Sequence, residues 1–158
     1  MANTQSMCTS FMGELLTATH NFGTAPTRAS SAADTFRGAL YLASATIDAS
    51  TTVYSTTGEV TGAGYSAGGV VVTNGTAPIA TNASATAGVA YWTPSASLVY
   101  TSVTLTTAFD AVLIYNASQS NKAVSVHTFG SQTITAGTFT LTMPSNTTTT
   151  ALLRLATT

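Results

Sequence analysis

The clearest pattern lies in the C-terminal half of the chain. Val99, Thr101, Val103 and Leu105 alternate with Tyr100, Ser102, Thr104 and Thr106, the period of two expected when successive side chains face opposite sides of a sheet. Phe109–Tyr115 is instead a nearly unbroken apolar run, which predicts a strand buried on both faces. A polar loop, Asn116–Asn121, leads to Lys122–Phe129, where Val124 and Val126 alternate with Ser125 and His127. Gln132–Thr135 and Thr138–Met143 flank Ala136-Gly137 as a predicted hairpin, ended by Pro144. Asn146–Thr150 reads as loop and Ala151–Leu155 as a last strand.

Upstream the signals are shorter. Phe36–Leu42 places Phe36, Leu40 and Leu42 on one strand face, and Val53–Tyr54 is a weak strand candidate. Gly58–Gly69 is a glycine-rich turn region around Val60 and Tyr65, its glycines suited to turns and bulges. Val70–Thr73 is a short buried run closed by Asn74-Gly75, a strong turn signal. Val89–Thr93 carries Tyr91 and Trp92 and stops at Pro94. At the N-terminus, Met7, Cys8, Phe11, Met12, Leu15 and Leu16 form one apolar stripe at helical spacing, capped by Asn3, Thr4 or Ser6 and ending near Asn21–Gly23. Thr24–Asp34, with Pro26, reads as a loop.

Closely spaced strands with turn signals between them and no interleaved helices predict a mainly β fold. The expectation is an antiparallel β-sandwich or jelly roll of about 8–10 short strands with one short N-terminal helix. Residues 1–158 are expected to form a single domain, with 1–23 as helix or arm and 35–158 as the sandwich.

Composition narrows what such a domain can do. Lys and Arg number four and Asp and Glu five, 6 % of 158 residues, against about 25 % in a typical soluble domain. Four scattered cations, Arg28, Arg37, Lys122 and Arg154, give no electrostatic footprint for nucleic acid. Ser and Thr together number 51, yet 44 % of residues are apolar, with six Phe and six Tyr, which argues for a folded chain rather than a solvated linker. Cys8 is the only cysteine, so no disulfide forms within the chain, and it reads as a small buried hydrophobe. Met1–Phe22 lacks the basic and apolar regions of a secretory signal, and no run approaches the length needed to span a bilayer. A soluble, cytoplasmically synthesised product is expected. Asn-x-Ser/Thr triplets at Asn74, Asn82, Asn116 and Asn146 are what a chain this rich in Ser and Thr produces by chance.

The residues that could carry chemistry are few: Cys8, Glu14, His20, Asp34, Asp48, Glu59, Asp110 and His127. No His-x-x-x-His, Glu-x-x-His or Cys-x-x-Cys spacing occurs, so no metal site is expected. Gly62, Gly64, Gly68 and Gly69 do not make a phosphate loop. Ser125, His127 and Asp110 could be arranged as a triad, but Ser125 and His127 are simple neighbours on one strand face and no nucleophile elbow accompanies them. No catalytic residue, cofactor or small-molecule substrate is therefore expected. A carbohydrate-binding face built from Tyr65, Tyr91, Trp92 and Tyr100 is a rival reading; against it stands the use of the same aromatics as core or subunit anchors.

Several segments together carry a resemblance. Met7-Cys8-Thr9-Ser10-Phe11-Met12-Gly13-Glu14-Leu15-Leu16 followed by His20-Asn21-Phe22 is similar to the opening of a group of small tailed-bacteriophage virion structural proteins. The similarity continues through Thr35–Tyr41, Gly58–Tyr65, Ala111–Asn116, Asn121–Val124, Thr128–Gly130 and Ala136–Thr140, in order along most of the chain. Met12-Gly13 stands where the group often has a more polar segment, and the region around Ala80–Ala96 is unusually rich in Ala and Thr. The resemblance implies a virion component and transfers no catalytic or ligand residue.

The resulting expectation is a capsid decoration (cement) protein that oligomerises on the outside of an assembled phage head and stabilises it. Its partners would be the major capsid protein and copies of itself. Phe11, Leu15, Leu16, Tyr91 and Trp92 are the candidate interface contacts, and its binding should depend little on salt. The alternative is a tail, baseplate or head-fibre component with a receptor- or glycan-binding face.

Overall fold

The computed structural model describes residues 3–8, 11, 15, 19–20, 22, 33–81 and 89–156. The protein is mainly β. Its strands are β1 (Ser6–Met7), β2 (Phe36–Leu42), β3 (Val70–Val71), β4 (Ile79–Ala80), β5 (Val89–Trp92), β6 (Leu98–Asn116), β7 (Lys122–Leu141) and β8 (Leu153–Ala156). They form a five-stranded sheet in the order β1-β7-β6-β2-β3 and a three-stranded sheet in the order β4-β5-β8. Every pairing is antiparallel.

The apolar run predicted to be buried on both faces sits at the centre. Ala111, Val112, Leu113 and Ile114 of β6 are at most 1 % exposed. β2 flanks them on one side, with Leu40 opposite Val112, and β7 on the other, with Val126 opposite Leu113. Burying each of the Val, Leu and Ile side chains contributes about 1.5–3 kcal/mol, so this three-stranded centre anchors the fold. Phe36, Phe109, Leu98 and Leu105 extend the same cluster. Trp92 of β5 joins it from the second sheet, with its ring 4.8 Å from Phe22 and 6.2 Å from Phe36.

Several expectations are corrected. The two strands predicted at 99–106 and 109–115 are one strand of 19 residues, and β7 runs for 20, so these two are long rather than short. Register shifts along the β6–β7 pair absorb the irregular sequence between the two halves. The hairpin predicted at Ala136-Gly137 is a bulge. Ala136 adopts φ 47°, its N–H donates to Thr104 Oγ1 at 3.1 Å, and Gly137 lies opposite Val103. A continuous partner strand in β6 keeps the chain extended, and the turn-prone pair is spent on one extra residue. Asn74-Gly75, read as a turn signal, does not join paired strands. It lies between β3 and β4, which belong to different sheets, and its donors go to Asp34 O at 3.0 Å and Ser95 Oγ at 3.1 Å.

The predicted N-terminal helix falls mainly on residues outside those described, Leu16 among them. Its first position is revised: Met7 lies in β1 opposite Ser125, and the Cys8 N–H donates to Val124 O at 3.1 Å. The outer edge of β7 offers free backbone groups there, which outweighs the helical spacing of the apolar residues.

The glycine-rich region does more than turn. It runs against the bulged part of β6, with Ala63 bridged to Thr104. A Cβ on Gly62 would lie 2.0 Å from Thr104 O and one on Gly64 2.1 Å from Ser102 O. Only a residue without a side chain allows the two backbones to approach so closely.

Candidate functional site

Four of the five predicted interface residues converge. Phe11, Leu15, Tyr91 and Trp92 line one apolar cavity of about 120 Å³, together with Met7, Phe22, Pro78, Ala90, Leu153 and Leu155. β5 and β8 supply its floor through the pairing of Trp92 with Leu153 and of Ala90 with Leu155. Exposure separates these residues. Phe11 and Trp92 are each 2 % exposed, and the Trp92 indole N–H donates to Thr76 O at 3.0 Å, so both are interior anchors of this chain. Leu15 and Tyr91 are half-buried and Leu155 is 43 % exposed, so the accessible rim of the cavity is theirs. Leu16 lies outside the described residues.

A second cluster was not foreseen. Glu59 is 5 % exposed and accepts three hydrogen bonds: Tyr54 OH to Oε2 at 2.6 Å, Tyr65 OH to Oε1 at 2.7 Å and Gly68 N–H to Oε1 at 2.7 Å. Tyr65 also accepts the Leu40 N–H at 3.0 Å. Around this core, Tyr115 OH donates to Gly68 O at 3.0 Å, Tyr100 OH to Gly38 O at 2.9 Å, and Tyr41 OH to Ser55 O. Arg37 donates to Gly68 O and Gly69 O and closes the arrangement. Tyr54 stacks on Tyr115 at 4.5 Å and Tyr65 on Tyr100 at 6.1 Å.

Burial, then the neighbouring Glu59 carboxyl, holds the hydroxyls of Tyr54, Tyr65 and Tyr100 above the usual phenol range. Burial also pushes up Tyr115, against the pull of Arg37, and raises Tyr41 to about 12. The phenols are thus held neutral as donors. Their hydroxyls are spent on internal acceptors, which pins the 54–69 segment to β2 and β6. A polar cleft of about 220 Å³ adjoins this cluster, lined by Arg37, Tyr65, Ser66, Tyr100 and Thr101 among others. No local signal in the sequence announces the cluster, because its five tyrosines come from well-separated segments.

A third polar group fixes the β6–β7 turn. Asn116 Nδ2 donates to Asp34 Oδ2 at 2.9 Å and lies 3.1 Å from His20 Nδ1, while Gln119 Nε2 reaches Asp34 Oδ1 at 3.1 Å. His20 is therefore a buried structural residue, its ring 4.9 Å from that of Phe11.

The triad residues divide. Ser125 Oγ and His127 Nε2 are 2.8 Å apart beside a cleft of about 300 Å³ that Gln5 and Arg154 also line. Asp110, however, accepts a bond from Asn3 Nδ2 at 2.6 Å, and the imidazole makes one hydrogen bond among the described residues. Burial lowers His127 to about 4, a weak base, and Ser125 is 1 % exposed. The pair has the contact of a nucleophile and base without the third group that would hold the ring. Among the described residues no group of three or more His, Cys, Asp and Glu could hold a metal ion.

Comparison with protein-family models, with curated proteins and with solved structures finds no match.

Proposed function

We propose that this chain is a structural component of a tailed-bacteriophage virion, a capsid decoration (cement) protein that binds the outside of the assembled head and stabilises it. The observation that carries this reading is where the charge sits. Of the seven described Lys, Arg, Asp and Glu residues, Asp34 and Glu59 are buried, Arg37, Asp48, Asp110 and Lys122 are half-buried, and only Arg154 is exposed. Even Arg154 donates to Thr148 O at 2.6 Å. The described surface is therefore poor in charge, made largely of Thr, Ser and backbone with exposed apolar side chains such as Val53, Val71 and Val99 among them. It is a poor guard against association and well suited to permanent packing in a large assembly. The resemblance to small phage virion proteins points the same way.

On this reading the two antiparallel sheets form a sandwich or jelly-roll body presented to the capsid surface. It stabilises the shell by mass action, because it binds the assembled lattice and not the free subunits. The partners are the major capsid protein and further copies of the chain, and Tyr91 and Leu15 at the rim of the apolar cavity are contacts between them. A glycan-binding tail or fibre component would need an aromatic platform, and Trp92, buried and bonded to Thr76, does not supply one.

Copy number decides between the two. Densitometry of purified virions should give a chain count comparable to that of the major capsid protein, and the chain should stay bound when salt is raised. A stoichiometry typical of a tail tip, or particles lacking the chain that resist heat as well as complete ones, overturns the proposal.

A further inference from the structure

Among the described residues, strand β7 has one covered edge and one that is bare over most of its length. On the inner side it pairs with β6 along its whole length, from Asn116–Lys122 to Leu98–Leu141. On the outer side it is covered only over its first residues, by Val53 bridged to Lys122, by the Cys8 N–H on Val124 O and by β1 at Ser125 and Val126. Beyond them, among the described residues, no strand or backbone hydrogen bond covers the outer edge through Leu141, and a Cβ on Gly130 would meet nothing within 4 Å. Long bare edges are normally blunted by charge or proline. This one carries neither: no Lys, Arg, Asp or Glu occurs between Lys122 and Arg154, and the first proline is Pro144.

The edge is also complementary to itself. Ile134 lies opposite Leu105 and Phe139 opposite Tyr100, so both face the core side of the ribbon although they are five residues apart. The extra residue at Ala136, φ 47°, shifts the alternation and puts them there. Thr133, Thr135, Thr138 and Thr140 are exposed on the other side. The sequence therefore reads alike in both directions about Ala136-Gly137, with Thr-Ile-Thr before it and Thr-Phe-Thr after it. Two antiparallel copies centred there match Ile134 to Phe139, Thr135 to Thr138 and Thr133 to Thr140, face to corresponding face.

We infer that the outer edge of β7 is a self-association edge, at which a second copy of this chain adds its own β7 antiparallel about a two-fold axis between Ala136 and Gly137. The contact is isologous: each chain gives and receives the same backbone bonds. The inference deepens the virion reading by naming the surface between copies. It is measured on the purified chain, so its failure would leave the copy-number test on particles untouched.

Sedimentation velocity from micromolar to submillimolar chain should show a monomer–dimer equilibrium, with slowed amide exchange across residues 131–141 as dimer accumulates. The register is tested by charge. Thr135→Lys with Thr138→Lys sets like charges opposite each other twice across the axis and should weaken the dimer about tenfold or more. Thr135→Lys with Thr138→Glu sets opposite charges there, should restore the dimer, and controls for folding of the substituted strand. A chain that stays monomeric throughout overturns the inference. So does a dimer indifferent to the Lys/Lys pair, or one weakened equally by both pairs.

Discussion

Replacing Glu59 with alanine tests whether the tyrosine cluster holds the fold together. The carboxyl group is the common acceptor for Tyr54 OH, Tyr65 OH and Gly68 N–H, at 2.6, 2.7 and 2.7 Å. Each lost bond contributes about 1 kcal/mol net, and a buried donor left without an acceptor adds about 1–3 kcal/mol more. Gly68 is buried and its N–H loses its acceptor, whereas Tyr54 and Tyr65 are half-buried and recover part of their loss by hydration. The sum is about 3–5 kcal/mol, a large part of the total stability of a typical domain. Glu59→Gln keeps Oε1 for Tyr65 and Gly68 and turns an amide N–H₂ toward Tyr54, whose oxygen can accept. It should cost about 1 kcal/mol. Urea unfolding followed by the fluorescence of Trp92, the sole tryptophan, measures both, with an unchanged slope against denaturant showing that the same surface is exposed. An alanine variant that loses less than about 1 kcal/mol, or no more than the glutamine variant, refutes the reasoning.

Three further outcomes are expected. Because burial and Glu59 raise the phenols of the cluster, the unfolded chain loses tyrosine protons before the folded one does. Stability should hold below pH about 10 and fall as pH rises further, by up to about 1.4 kcal/mol per unit for each enclosed tyrosine; absorbance at 295 nm should then rise together with unfolding, and tyrosinate forming in a still-folded chain near pH 10 would contradict this. His127, lowered to about 4 by burial, has the opposite sign: its contribution is present above pH about 6.5 and lost as pH falls through about 4, so His127→Gln should flatten the acid limb of the stability profile, and an unchanged limb would remove its role. Gly69 has φ 68° and a Cβ there would lie 1.7 Å from Gly38 O, so Gly69→Ala should cost about 3 kcal/mol or more in urea unfolding, while Gly130→Ala, with open space around it, should stay within about 0.5 kcal/mol; equal effects would show the close approach to be unimportant.

The part of the fold legible in the sequence is the part whose burial is symmetric. The run Phe109–Tyr115, apolar at every position but Asp110, predicts a strand covered on both sides, and Ala111–Ile114 is the most deeply buried stretch of β6. Ala136-Gly137 was not legible in the same way. The same two residues close a hairpin when the chain has no partner to follow and make a bulge when β6 continues alongside, and that choice is set by residues more than thirty positions away. Met7 is a similar case: its helical spacing from Phe11 is real, but the open edge at Ser125 decides its conformation.

Of the candidate contacts, hydrophobicity found Phe11, Leu15, Tyr91 and Trp92, and the structure gathers them around one cavity. Which of them reach the surface was not legible: Phe11 and Trp92 pack against the ring of Phe22 and are buried while Leu15 and Tyr91 stay half-buried, and no spacing along the chain encodes that contact. The Glu59 cluster was hidden for the complementary reason. A single carboxyl at the start of an uncharged stretch reaching to Asp110 looks like a solvated turn residue until Tyr54, Tyr65 and the Gly68 N–H are seen to surround it.

Scarce charge and inward-turned charge together have a consequence that neither has alone. A chain with nine charged residues could still place them along its bare β edges, where Lys or Glu most cheaply prevents unwanted pairing. Here the carboxyls of Glu59, Asp34 and Asp110 instead satisfy internal donors, and Arg37 is committed to the carbonyls of Gly68 and Gly69. The long edge of β7 is left with hydroxyls and backbone groups. For a freely diffusing monomer that arrangement is a liability. For a subunit whose edge is filled on assembly it removes the desolvation cost that charges there would impose. The placement of charge therefore argues for assembly more strongly than its amount.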